Sequence, residues 1–413
     1  MFALCARILD ISQEESVKIA SLRILLCSIV VLASSSALGE KRYDPGVNDT
    51  EIRIGQTMAY SGPLSALGSI GKVEAAYFAK VNEEGGLNGR MIRFLSLDDG
   101  YSPPKTVEHT RRLVESEDVL LLFSSLGTAH NLAVQKYLNA KHVPQLFMAS
   151  ASIKWDDPQH YPWSMAITPS PRIDAPLYAQ YILKNHPSAK IAVLYQNDDF
   201  GRDYMRVFKD ALGPAVDKMI VAQISYEVTD PTVDSQIITL HGSGADTLFA
   251  IAGPKAAAQT IRKVHEVGWK PLFIVPFTVA SVEAVLKPAG LHKSIGIVSA
   301  LSLKDPTDEQ WADDKDMQEY LRFMKRYYPE GDASDTYNAA GYNFAQLLVY
   351  VLRRCGEDLT RENVMRQAAN LKDVKLPMLL PGIHLNTSST DYSPLKLMYL
   401  HRFNGKNWVR LGD

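Results

Sequence analysis

The strongest constraint in this sequence is an alternation of periods. From Glu51 onward, short apolar runs of strand type trade places with amphipathic runs of helical spacing. "EIRIGQTM" reads as a strand, and "IGKVEAAYFAKVNEEG" as a helix that Gly85 ends. "RMIRFLSLDD" is the next strand. "SPPKTVEHTRRLVESE" is a helix with proline near its start, where a missing N–H costs little. "DVLLLFSS", "AHNLAVQKYLNAKH" and "VPQLFMAS" continue the pattern as strand, helix and strand. This order is the signature of a parallel sheet with helices on both faces.

The pattern pauses over "SASIKWDDPQHYPWSMAITPSPRID", which reads as a loop, and then restarts. A helix from about Ala175 to Asn185 leads to the strand "KIAVLY". Helices around Gly201 to Leu212 and Val233 to Leu240 precede the strands "MIVAQISY" and "DTLFAIA". "KAAAQTIRKVHEVG" is a helix, and "PLFIVP" and "GIVSALSL" are strands. Further helices are expected at about Trp311 to Tyr328, Ser334 to Cys355 and Thr360 to Asn370. The C-terminal "LKLMYLHRF" turns at "NGKN" into "WVRLGD" in the manner of a hairpin. The fold class is therefore α/β, with two doubly wound parallel-sheet units.

Length and charge agree with this. A chain of 413 residues can hold two domains of ordinary size. A formal net charge of −2 argues against nucleic acid as a partner. At the N-terminus, Lys18 and Arg23 precede the apolar run Ile24 to Ala33 and the small residues Ser34, Ser35, Ser36 and Ala37. That order predicts a secretory signal cleaved near Ala37, and the run is short for a membrane span. Asp10, Glu14 and Glu15 do not suit a signal, so residues 1–37 are read as an extension followed by the signal peptide. Cys27 follows Leu26 rather than a small residue, which does not fit a lipid anchor. Cleavage would leave Cys355 with no disulfide partner in the chain.

The familiar chemical motifs fail when tested. "ALGSIGKV" approaches a phosphate loop, but Ala66 stands where the first glycine belongs and Val73 replaces the magnesium-binding hydroxyl. No G-x-G-x-x-G follows a strand, and Ser124 and Ser125 lack the glycine spacing of a nucleophile elbow. His130 lies two positions after Thr128, and side chains two apart on a helix do not face each other. His130 is expected as an exposed or half-buried helix residue. The adjacent aspartates Asp98-Asp99, Asp156-Asp157, Asp198-Asp199 and Asp313-Asp314 have no clustered histidine and read as turns or helix caps. Neither a metal nor a cofactor is expected.

What remains is a binding use of the same groups. Gly127-Thr128-Ala129 stands where a strand ends and a helix begins. Free N–H groups and the dipole at such a point favour an anion, and ligands of open parallel sheets bind outside the strand ends. Thr128 adds a hydroxyl. Ala149, Ser150 and Ser152 follow the next strand and supply further polar groups.

The segments "IRIGQTMAYSGPLSALG", "KVNEEGGLNGR", "LSLDDGYSPPKTVEHTRRLV", "VPQLFMASAS" and "VLYQNDDFGRDY" together resemble the periplasmic branched-chain amino-acid (Leu/Ile/Val) binding proteins of ABC importers. The resemblance covers about Glu51 to Arg410. It implies two α/β lobes joined by a multi-crossover hinge that close on a ligand. Lobe 1 would span 50–170, with 334–372 returning to it, and lobe 2 would span 171–300, with the strands of 373–410 near the hinge. By this resemblance Thr128, with Gly127 and Ala129, holds a ligand carboxylate. Ala149 and Ser150 to Ser152 form a second contact, and Phe200 lines the second lobe.

One departure bears on the ligand. The family's amino-acid binders carry an acidic residue after the proline of the strand "PLFIVP", and here Phe277 follows Pro276. An ammonium group facing Phe277 would be buried at a cost of several kcal/mol. The expected ligand is thus a small carboxylate with an apolar or aromatic body, with Leu67, Tyr101, Phe200 and Phe277 as walls. The expected partners are an inner-membrane ABC permease and its ATPase subunits, and the chain would be periplasmic and monomeric. The alternatives are an amino-acid binder whose ammonium partner is Asp99 or Asp198, and a ligand-sensing module.

Overall fold

The computed structural model describes residues 41–412, so the signal-peptide reading lies outside the described residues. The first sheet has five strands: β2 (Glu51–Met58), β3 (Met91–Asp98), β4 (Leu121–Phe123), β5 (Gln145–Met148) and β6 (Ser164–Ala166). Their order is β3-β2-β4-β5-β6, and each pairing is parallel. The second sheet contains β7 (Ile191–Gln196), β8 (Ile220–Tyr226), β9 (Thr247–Ile251), β10 (Leu272–Ile274), β11 (Val298–Leu301), β13 (Tyr399–Phe403) and β14 (Trp408–Arg410). It runs β14-β13-β11-β10-β9-β7-β8, parallel except for the C-terminal hairpin, which adds β13 and β14 antiparallel at one edge. A short parallel pair, β1 (Arg42–Tyr43) with β12 (Asp358–Leu359), ties the start of the described chain to the end of the longest helix.

Burial explains the parallel arrangement. Leu121, Leu122 and Phe123 of β4 are buried, as is every residue of β9. Strands apolar on both faces need helices above and below. Helices Ser69–Glu83, Pro103–Glu115 and Thr128–Ala140 serve the first sheet; Pro171–Asn185, Asp199–Leu212, Asp234–Gly242 and Pro254–Glu266 serve the second. The long helix Thr336–Cys355 returns to the first lobe and packs on Ser69–Glu83, where Gly341 lets the backbones meet: a Cβ there would sit 2.7 Å from the Ile70 carbonyl oxygen. The free Cys355 is buried at its end.

The segment read as one long loop contains the strand β6 and the turn Ile153–Asp156. β6 is only "SMA", too short to show a period, and its pairing with β5 creates it. The chain passes between the lobes around 167–170, 302–304 and 396–398. The passage at 302–304 is fixed to neighbouring chain, by the Leu303–Leu379 bridge and by the Leu380 N–H donating to the Ser302 carbonyl.

Candidate functional site

Each sheet reverses its winding at one place: between β2 and β4 in the first, and between β7 and β9 in the second. Such points leave a crevice at the carboxyl ends of the strands. Here the two crevices face each other across a cavity of about 70 Å³. The loops after β2 and β4 give Leu64, Leu67, Leu126, Gly127 and Thr128, and those after β7 and β9 give Gln196, Phe200, Ala252, Gly253 and Pro254. Tyr101, Ala149, Thr168 and Thr278 complete most of the wall. Leu67, Leu126, Ala149, Thr168 and Thr278 also border a second cavity of about 140 Å³, so the two compartments adjoin.

Three helices begin at the smaller compartment, and they differ in what occupies their first turn. Asp198 caps Asp199–Leu212 with its own carboxylate, accepting from the Gly201 N–H. Pro254–Glu266 starts with a proline, which has no N–H to offer. Thr128–Ala140 has no side-chain cap, and the N–H groups of Thr128 and Ala129 donate to no protein acceptor. The Gly127 N–H is already given to the Ala149 carbonyl at 3.1 Å, so glycine contributes geometry rather than a donor. Its φ is +97°, and a Cβ would lie 2.5 Å from His130 Nδ1 and 2.9 Å from Tyr101 Cε2. Only glycine fits this turn without displacement.

The hydroxyls complete the cradle. Thr128 Oγ1 and Ser150 Oγ are 3.0 Å apart, and Ser150 Oγ also accepts from Trp155 Nε1 at 2.8 Å. Ala129, Ser150 and Ser152 line neither cavity: Ser150 stands behind Thr128, and the Ser152 hydroxyl donates to Asp203 on the second-lobe helix. Ser125 is structural, its Oγ accepting from the Thr57 N–H and its carbonyl from Asn131 Nδ2. His130 corrects the expectation of an exposed or half-buried helix residue. It is 2 % exposed, because its ring lies under the Gly127 turn against Tyr101, with centroids 4.0 Å apart. Desolvation lowers its pKa, so it sits neutral beneath the cradle. Burial likewise raises the Tyr101 phenol well above its ordinary value, leaving it an uncharged wall.

Asp99 and Asp198, the alternative ammonium partners, have both oxygens engaged. Asp99 accepts from the Tyr101 N–H and the Thr106 hydroxyl. Asp198 accepts from Gly201 N–H and, at 2.6 Å, from Gln196 Nε2. Neither lines either of these two cavities, whose walls hold no Asp, Glu, Lys, Arg or His. Phe277 borders the larger compartment with Ile70, Leu303, Tyr337, Phe344, Leu376, Leu379 and other apolar groups. Leu67 faces both compartments, and Tyr101 and Phe200 face the smaller one. Sequence reading missed Gln196, Tyr337, Asn343, Phe344 and the leucines of 376–395. Gln196 ends the strand at the second switch point, a position that could have flagged it.

The lobes also meet through polar contacts beside the cavities. Lys154 Nζ lies 3.1 Å from Asp199, next to the Ser152–Asp203 bond. Asp335 accepts from Ser281 of the second lobe at 2.9 Å and from Ser69 of the first at 3.4 Å. The Tyr337 hydroxyl donates to the Thr278 carbonyl at 2.8 Å.

Residues 51–407 match the sequence model of a family described as periplasmic binding protein. A curated relative, the Leu/Ile/Val-binding protein homolog 3 of Brucella melitensis, is 21% identical over 255 residues, which are 60% of this chain and 66% of that protein. The alignment thus spans just under two thirds of the relative. A substrate-binding periplasmic protein from Ralstonia solanacearum superposes with a TM-score of 0.79 at 21% identity, covering 87% of this chain and 100% of that one. A branched-chain amino acid ABC transporter protein from Thermus thermophilus with bound valine gives 0.77 at 18%, over 89% and 97% of the two chains. A fatty acid ABC transporter substrate-binding protein from Thermomonospora curvata gives 0.74 at 21%, over 90% and 94%. At these identities the structures establish a shared two-lobed α/β fold.

Proposed function

This chain belongs to the periplasmic binding protein family, a family of binding proteins rather than enzymes, and from that premise we propose that it captures a small carboxylate with an apolar or aromatic body for an ABC importer. One observation carries the reading: an uncapped helix start stands at one end of a cleft whose walls hold no charged side chain. The carboxylate would accept from the N–H groups of Thr128 and Ala129 and from the Thr128 hydroxyl, which Ser150 would orient by donating to it. A helix N-terminus and neutral donors suffice for one negative charge. The rest of the ligand would lie against Leu67, Tyr101, Phe200 and Phe277. An α-ammonium would find no carboxylate there. The fatty acid of the Thermomonospora protein's name is also a carboxylate with an apolar body, which supports the reading.

The lobes would close over the ligand through the Ser152–Asp203 and Lys154–Asp199 contacts and present it to a membrane permease with its ATPase subunits. The chain would act outside the cytoplasm as a monomer; no helix among the described residues is long and apolar enough to cross a membrane. The second reading, a branched-chain amino-acid binder, is favoured by the likeness to the valine-bound Thermus protein. Thermal shift separates the two. Stabilisation by benzoate-type and aliphatic monocarboxylates, with no response to leucine, is expected. Stabilisation by leucine alone would remove the proposal. Mass spectrometry of a copurifying ligand gives an independent check.

A further inference from the structure

We infer that the ligand keeps its acid and its bulk in different compartments: the carboxylate at Thr128 in the smaller, and an apolar body of about six carbons in the larger one beside the hinge, with Ala340 setting the room for that body. This rests on the carboxylate reading above and adds where along the ligand the bulk must lie. Gly127 and Thr128 border only the smaller compartment, whereas Phe277, Ala340 and Phe344 border only the larger. The larger measures about 140 Å³ and the smaller about 70 Å³. An apolar cavity of about 150 Å³ holds a benzene molecule. By that measure the larger compartment takes a ring or a folded chain of about six carbons. The smaller takes half as much, little beyond the carboxylate and the carbon next to it. A ring or branch on that carbon would crowd it, with Tyr101 and Phe200 in its wall.

The walls of the larger compartment suit an apolar body as well as its size does. Several of its polar groups are engaged with protein. The Tyr337 hydroxyl donates to the Thr278 carbonyl at 2.8 Å, the Thr168 hydroxyl donates to the Met148 carbonyl at 3.3 Å, and Asn343 Oδ1 accepts from the Met378 N–H at 3.1 Å. Leucines and phenylalanines make up much of the rest, a lining that favours an apolar group over water. Folded cores leave few spaces larger than a water molecule, so one of this size beside a ligand cleft belongs to the ligand. Leu67, Leu126, Ala149, Thr168 and Thr278 border both compartments and come from five separate segments, a ring of residues through which the ligand would pass. Thr336, Ala340 and Phe344 follow at intervals of four along one face of the helix Thr336–Cys355, and all border the larger compartment. Ala340 has the smallest side chain of the three, and a larger one would occupy the body's space. The ligand class is therefore a monocarboxylate unbranched next to its acid group, with a ring or chain beyond.

Calorimetry with pairs of isomers tests this on the unmodified protein: 3-phenylpropanoate against 2-phenylpropanoate, and octanoate against 2-propylpentanoate. The members of a pair contain the same atoms, so apolar character alone does not separate them. They differ in whether the bulk lies beyond the α-carbon or on it. The extended isomer should bind more tightly in at least one pair by about tenfold, the worth of burying roughly two more methylene groups. Equal or tighter binding of the compact isomer in both pairs overturns the inference and leaves the carboxylate reading standing. Binding of none of the four acids removes both. Ala340→Phe places a ring in the larger compartment and should cancel the preference for the extended isomer. A preference that it leaves intact overturns the placement of the body there. Ala340→Leu, which adds less volume, gives the same test if Ala340→Phe does not fold.

Discussion

Thr128 and Gly127 show how much function one helix start can hold. Thr128 is 2 % exposed and its hydroxyl already has Ser150 at 3.0 Å, so the pair is oriented before any ligand arrives. Thr128→Ala should weaken carboxylate binding by roughly 1–3 kcal/mol, the worth of a hydrogen bond to a charged group. Calorimetry would read it, and unchanged affinity would move the anion site elsewhere. Gly127→Ala acts differently. It adds a Cβ at a φ of +97° and presses on His130 and Tyr101. Strain of this kind costs of order 1–3 kcal/mol, so the melting temperature should fall along with affinity. Thr128 was legible because a strand end, a glycine and a helix start are local signals. That neither nearby serine lines the cavity was not. Phe147 has a φ of +53° and the β5–β6 register shifts between Leu146 and Met148, so counting by twos fails before Ser150 and Ser152 are reached.

At the scale of elements, the turn Ile153–Asp156 and the helix Asp199–Leu212 form the clearest contact between lobes. Two interactions join them, and their surroundings rank them. Ser152 and the Asp203 side chain are buried, whereas Lys154 and Asp199 keep 30% and 35% of their side-chain surface. The exposed ion pair is screened and worth about 0–1 kcal/mol, while a buried hydroxyl bonded to a carboxylate is worth about 1.5–3. Ser152→Ala should therefore speed ligand release, and Lys154→Ala should change it little. Stopped-flow dissociation rates check this, and a larger effect at Lys154 would reverse the ranking. The larger compartment also forms at this scale, and sequence did not reveal it. Leu376, Leu379, Leu385 and Leu395 have the pattern of ordinary core residues. Their meeting with Phe277 and Tyr337 depends on the chain returning to the hinge, which no local period encodes.

Across the whole molecule, the alternation of periods determined two parallel sheets, and the buried acids now set how stability follows pH. Asp174, in the first turn of Pro171–Asn185, is fully buried and accepts from the Tyr204 and Tyr178 hydroxyls at 2.9 and 3.2 Å. Desolvation pushes its pKa up to about 7, against those hydrogen bonds, and raises Asp156 to about 6. A raised carboxyl pKa means the native state holds the proton more tightly than the unfolded chain. Its stabilising contribution is whole below the unfolded value of 3.8 and is lost as pH rises through about 7. Burial lowers the pKa values of His130 and His401, which act in the opposite sense as pH falls. Wild type alone would mix these effects, so the test is a difference. Asp174→Asn removes the titration and keeps an amide oxygen for the two tyrosines. Its melting temperature relative to wild type should rise steadily from pH 4 to about pH 7 and then level off. The rise corresponds to at most about 1.4 kcal/mol for each pH step of one, the limit for a single proton. A difference that stays flat across that range would mean Asp174 does not take up its proton in the native state.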